Sequence, residues 1–457
     1  MKRVLILLLL ASFGGLSAAA QQASPPAAAP PPVKTPSQEF LKTADEVLAD
    51  MSKILSLPVV SPLKKSLRTK AEIRAYVLRR MEEDKQPLKR YADQKMLEKF
   101  GLVPKGFEVE PFLVDLLTEQ IAGLYDPKGQ EFFIADWIDP EDQRIVMAHE
   151  LTHALQDQHF KVDPWVDAAK PNDDAELARG SVLEGSALAA MLDYMLAGRS
   201  KSVRDMPDIE ALAGPLLGDT ENSPELAKAP PFIRDALLFP YLSGASFTQS
   251  VLRANTGWAD FHKVFAKPPV STQQILHPDL YLRGVAPQLV RLPDFAPLLP
   301  AEWKKLDENI LGEFGLREVL KQFLGEARAR GLAPAWAGDR YAIWEHQKTK
   351  ALLSVLRLRL AGPAEAARFF GNYSEALELK YDKRRDLFRR PNFFSFNTGE
   401  GGVFLRCFNE ECLAVEGTTR AVFGRMTRGL EWPAGPAEPV RPSKPGEKTT
   451  VTVLLPY

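Results

Sequence analysis

The chain has little of what several function classes require. Its 457 residues carry 58 basic and 59 acidic side chains, a formal net charge of −1. That leaves no electrostatic case for a nucleic-acid partner or an anionic membrane surface. It holds only two cysteines, Cys407 and Cys412. Two cannot build a four-cysteine structural zinc site. Neither precedes residue 149, so no N-terminal cysteine is there to block a downstream metal. In an oxidising compartment the pair could close the small loop Cys-Phe-Asn-Glu-Glu-Cys. Beyond the first 20 residues no stretch approaches the roughly 20 apolar residues of a membrane span. Histidine is scarce at six, which gives weight to any pair at ligand spacing.

What is present begins with an export pattern. Lys2 and Arg3 precede the apolar run Val4–Phe13 and the small residues Ala18, Ala19 and Ala20. The order is that of a signal peptide over residues 1–20, and it implies a periplasmic or extracellular protein with no stable membrane span after cleavage. Residues 21–37, rich in Pro and Ala, read as a linker.

The stretch around which the rest is organised is Arg144–Gln158, which contains His149-Glu150-Leu151-Thr152-His153. On a helix of about 100° per residue, His149 and His153 share one face, one turn apart, where two imidazoles reach one metal. Glu150 falls beside that metal. Zinc would acidify a water molecule and polarise a carbonyl, while a carboxylate at this position takes the proton. Ile145, Val146, Ala148, Leu151, Ala154 and Leu155 give the same helix an apolar back.

A catalytic zinc site needs a third protein ligand. His159 lies off the ligand stripe if the helix continues, and Gln156 stands where a turn-forming Gly would be needed to bring it back. On the next helix, read over residues 172–197, Glu176 is explained as the partner of Asp173 in a capping box. Glu184 is not so easily explained: it sits among Leu183, Ala187, Leu188 and Met191, where a carboxylate needs a partner. Glu184 is therefore the expected third ligand. His277, in Ile-Leu-His-Pro-Asp-Leu-Tyr, is the candidate donor to the oxyanion of a tetrahedral intermediate, with Tyr281 and Tyr241 as weaker candidates.

The expected fold is α+β. A mainly helical catalytic domain with a short sheet occupies residues 38–332, opening on a helical lobe with helices at 43–57, 69–84 and 87–100. A helix at 111–125 and a strand at Glu131–Ala135 precede the metal helix, and an extended peptide could pair with that strand's edge. A polar, Pro-rich cover spans 199–230, and helices follow at 232–254 and 309–329. A small α+β domain with a Pro-rich tail fills 333–457, with Asp339 and Arg340 as a structural pair.

At His149–Phe160 and Leu183-Glu-Gly-Ser-Ala187, the sequence resembles a group of exported bacterial zinc metallopeptidases of the gluzincin type, with HExxH and a downstream Glu. The likeness extends over roughly residues 110–345. It implies a zincin-like fold, Zn2+ held by His149, His153 and Glu184, Glu150 as catalytic carboxylate, and a peptide or protein substrate. The sequence departs from the group at Ser186, where Asp is common, and at Gln273, where Glu is common, which puts the support of the ligands in question. The alternative expectation is a catalytically silent zincin-like scaffold that binds an envelope protein or peptide. Oligomeric state is not written in the sequence.

Overall fold

The computed structural model describes residues 37–83, 86–199, 201–209, 223–430 and 432. The expected export signal, all but the last residue of the linker, part of the polar cover and the C-terminal tail beyond Trp432 lie outside the described residues. The protein is α+β, a helical part followed by an antiparallel sheet.

The N-terminal lobe forms where apolar residues recur at helical spacing and caps are available. Helix α1 (Gln38–Leu55) starts at Ser37, whose hydroxyl accepts the Phe40 N–H at 3.0 Å, and it buries Phe40, Ala44, Val47, Leu48 and Met51. Helix α2 (Lys70–Glu83) opens on a capping box, in which Thr69 N–H donates to Glu72 and Glu72 N–H donates back to the Thr69 hydroxyl. Helix α3 (Pro87–Phe100) carries Pro at its first position and ends at Gly101 with φ 74°. Helix α4 (Val109–Gln120) follows.

Here the structure departs from the sequence reading. The helix expected to reach Tyr125 ends at Gln120, and Gly123–Asp126 forms a strand. A strand β1 (Lys64–Arg68), β2 (Gly123–Asp126) and β3 (Glu131–Ala135) make a three-stranded sheet in the order β1-β3-β2, with β1 parallel and β2 antiparallel to β3. Pairing across the Asp-Pro-Lys-Gly turn lets Leu124 and Phe133 enter one core and Tyr125 and Phe132 another, a gain in burial that local helical propensity cannot match. Because β3 is central, both its edges are occupied and it offers none to a peptide. The outer strand β2 is itself buried at Leu124 and Tyr125.

Three long helices form the middle of the molecule: α5 (Pro140–Phe160), α6 (Asp173–Leu196) and α7 (Pro231–Ala254). Every residue of α5 from Val146 to Asp157 is buried, so this helix is surrounded by protein. Short helical turns at Thr272–Leu276 and Pro278–Leu282 follow. Among the described residues, no helix is long and apolar enough to cross a membrane.

The C-terminal part is β4 (Trp303–Asn309), α8 (Gly312–Leu324), β5 (Trp336–His346), β6 (Leu352–Leu360), α9 (Pro363–Lys380), β7 (Arg385–Arg390), β8 (Phe393–Thr398), β9 (Gly401–Phe408), β10 (Glu411–Thr418) and α10 (Arg420–Arg428). The seven strands form one antiparallel sheet in the order β4-β5-β6-β10-β9-β8-β7. The boundary expected at residue 333 is therefore too late, since β4 already belongs to the sheet. The helix expected over 309–329 is a strand end at Asn309, then α8, then a break at Gly325 with φ 82° and a short helix Glu326–Leu332. One apolar core joins Ile73, Leu97, Leu113 and Leu117 of the N-terminal helices to Leu356, Phe394 and Leu405 of the sheet, so the two parts fold against each other. Cys407 and Cys412, opposite each other on β9 and β10, form a disulfide. Asp339 accepts the Leu311 and Gly312 N–H groups and the Trp336 indole N–H. Burial pushes its carboxyl up to about 6 against those hydrogen bonds. Its role is structural, as expected, though its hydrogen-bond partners are these three and Arg340 faces Glu308 at 3.8 Å.

Candidate metal centre

Helix α5 presents His149 and His153 one turn apart, and α6 brings Glu184 against them. The three side chains are buried, and their donor atoms lie within 4.8 Å of one another. His149 Nε2 is 3.2 Å from Glu184 Oε2 and 3.2 Å from His153 Nε2, and His153 Nε2 is 3.4 Å from Glu184 Oε2. Tetrahedral zinc with bonds of about 2.0–2.1 Å would hold its donors about 3.3–3.4 Å apart. The residues therefore fit that metal in both kind and spacing. Two imidazole nitrogens facing each other at this distance can share at most one proton, so their lone pairs and the carboxylate converge on one point. Glu184 Oε1, also buried, has no hydrogen-bond partner.

The charges are consistent with a cation-binding triad. Burial works against the Glu184 carboxylate ion, yet His153 and His149 outweigh it and hold the carboxyl below its ordinary value. Burial likewise opposes the charged His153 ring, and the neighbouring Glu184 still raises it. Glu150 stands beside the triad. Its carboxyl is pushed up by burial, opposed by the two histidines and the Tyr125 N–H. Glu150 Oε2 accepts that Tyr125 N–H at 3.0 Å, an anchor that came from β2 and was missed in the sequence because β2 was read as helix.

The elements are placed by close packing. Gly123 of β2 lies directly under α5: a methyl there would meet Val146 Cγ1 at 2.5 Å and Glu150 Cγ at 3.2 Å. Gly185, next to Glu184, lies against the backbone of Gly244 in α7. The Tyr125 hydroxyl donates to Asp157 at 3.0 Å, which fixes β2 further along α5. Tyr241 of α7 stacks over His149 with ring centres 6.0 Å apart.

One of the two departures from the gluzincin pattern, Ser186, is met by Gln156 of α5. Gln156 Nε2 donates to Ser186 Oγ at 2.8 Å, and Ser186 donates to the Leu183 carbonyl at 3.1 Å. The turn of α5 that follows His153 is thus tied to the ligand-bearing turn of α6. Gln273 donates to the Trp336 carbonyl at 2.6 Å.

The remaining candidates lie elsewhere. His159 reaches the Pro58 carbonyl, off the ligand stripe. The Tyr281 hydroxyl donates to the Lys267 carbonyl. His277 Nε2 is taken by the buried Glu313 carboxylate at 2.8 Å, which raises the ring above its ordinary value. Among the described residues it has no hydrogen bond to the triad. A second acidic group, Asp93, Asp173 and Asp307, surrounds Lys89, whose ammonium pairs with all three.

A domain of unknown function, DUF8575, matches residues 301–426. That interval begins just before β4 and ends within α10, so it covers the seven-stranded sheet and leaves out α5 and α6. No curated protein and no solved structure matches the chain.

Proposed function

We propose that the protein is a zinc-dependent peptidase that holds its metal through His149, His153 and Glu184 and uses Glu150 as proton acceptor. The observation that carries this reading is the convergence of three buried donor atoms at tetrahedral spacing beside a carboxylate held by a backbone amide. A bound zinc would supply the Lewis acid that acidifies water and polarises the scissile carbonyl.

The rest is work for the chain's own residues. The Tyr125 N–H occupies Glu150 Oε2 and leaves Oε1 to take the proton from attacking water and pass it to the leaving amine. Glu150 and His153 keep 8% and 7% exposure while His149 and Glu184 keep 3% and 1%. That favours a single flexible peptide segment as substrate over a folded surface. The Cys407–Cys412 disulfide supports an oxidising compartment outside the cytosol.

The test compares the zinc-loaded protein with Glu150→Gln on a mixed peptide library read by mass spectrometry. The wild type cleaves, and the variant keeps its zinc and loses about 10²- to 10⁴-fold in turnover. Equal rates would overturn the assignment.

A further inference from the structure

Glu176 loses its structural explanation once the helix start is located. Helix α6 is capped by Asn172, whose side chain accepts the Ala175 N–H, so the third helical position is Ala175 and Glu176 falls one place beyond any capping box. Its side chain is 5% exposed. Among the described residues its carboxylate has no hydrogen-bond or ion-pair partner.

Glu176 lines a cavity of about 140 Å³ between α3, α6, α7 and α8, comparable to an engineered cavity that takes up a benzene ring. The walls are otherwise largely apolar, with Met96, Leu177, Phe232, Ala236 and Phe314 among them. Met96, Leu177 and Phe232 remain partly exposed, so the cavity communicates with solvent. Four acidic side chains line it and no basic one. Three are already answered: Asp93 and Asp173 by Lys89, and Asp174 by the Thr272 N–H at 3.1 Å. Glu176 is left, and a buried carboxylate without an internal partner can only turn its charge into the cavity.

We propose that this cavity receives the side chain of a lysine or arginine of the peptide substrate, its aliphatic stem against Leu177, Phe232 and Phe314 and its cation on Glu176. The proposal rests on the peptidase reading for the identity of the occupant. The ligand chemistry follows from the walls: a largely apolar cavity with one unanswered negative charge fits a chain of methylenes ending in a positive one. The placement follows from α6, which carries Glu176 eight residues before Glu184, about 12 Å along the axis, the length of three to four extended residues. Pro240 lines the cavity and precedes Tyr241, whose ring stacks on His149, so α7 also runs from the cavity to the metal centre.

Two measurements on the full chain test this. The first is calorimetric binding of n-hexylamine and of 1-hexanol with the metal chelated, which does not depend on turnover. The wild type binds the amine more tightly, and Glu176→Gln loses at least about tenfold in amine affinity with little change for the alcohol. Ala236→Phe, which fills the cavity from α7, loses both and guards against a fold defect in the first variant. Equal amine affinity in wild type and Glu176→Gln would overturn the proposal.

The second measurement is cleavage of paired peptides carrying lysine or norleucine. The wild type prefers lysine, and the preference ratio collapses towards one in Glu176→Gln. Cleavage without a lysine or arginine preference would overturn the substrate assignment while the peptidase reading stands. Amine binding through Glu176 without cleavage of any peptide would overturn the peptidase reading, and with it the peptide occupant.

Discussion

Gly185 and Gly244 meet backbone to backbone: a methyl on Gly185 would lie 1.9 Å from the Gly244 carbonyl carbon, and one on Gly244 would lie 2.1 Å from the Ser181 oxygen. Neither contact can be relieved by turning a side chain, because both obstacles are main chain. The α6–α7 crossing therefore sets the position of Glu184, the residue before Gly185.

Gly185→Ala and Gly244→Ala should each force the helices apart. We expect a loss of about 1–3 kcal/mol or more in stability, read by chemical denaturation. Zinc affinity should fall with it, because Glu184 moves relative to His149 and His153. An unchanged zinc affinity in a folded variant would mean that the crossing does not position the ligand.

The link between α5 and α6 through Gln156 predicts a milder phenotype. Gln156→Leu removes the donor to Ser186 without touching a ligand. Loss of such outer support costs about 10- to 100-fold in metal affinity, measurable by competition with a chromophoric chelator. Ser186→Ala removes the same hydrogen bond from its other end and should cost a similar amount.

The period of the metal helix was enough to place His149, Glu150 and His153, and an apolar setting was enough to single out Glu184. What could not be read were features that depend on partners distant in sequence. The strand at Gly123 exists because β3 pairs with it and α5 passes over it, and β4 exists because β5 lies beside it. Ser186 looked like a lost support until the fold brought Gln156 against it. Glu176 was misread by a single residue of helix register, since Asn172 and Asp173 are equally good caps in isolation and only the fold decides between them.

The pair His277 and Glu313 gives a pH prediction independent of the metal. Its hydrogen bond to Glu313 is the main cause of the raised His277 value, burial opposes it, and nearby Asp279 adds to it. A histidine raised in the folded state contributes stability that is fully present below its unfolded value, near 6.5, and is lost as pH rises through the folded value. With the His277 side chain 33% exposed, the contribution should be about 0.5–1 kcal/mol. The stability difference between wild type and His277→Gln should therefore be full near pH 6 and shrink as pH rises through the folded value. Denaturation curves across that range check it, and a difference independent of pH would remove the charged pair as its cause.

Gly123 offers the sharpest separation of metal binding from catalysis. The ligands sit on α5 and α6, whereas the anchor of Glu150 sits on β2, and Gly123 is where β2 passes under Val146 and Glu150. An alanine methyl would press on Val146 Cγ1 and Glu150 Cγ together, moving β2 away from α5 and drawing the Tyr125 N–H off Glu150 Oε2. His149, His153 and Glu184 keep their mutual contacts, so zinc should still bind with near-normal affinity. The proton acceptor loses its fixed orientation, and a misplacement of about 1 Å can cost on the order of 100-fold in rate. Gly123→Ala should thus lower kcat far more than it lowers zinc affinity. If both fall together, the strand supports the metal centre as a whole; if neither falls, Glu150 keeps its orientation without Tyr125.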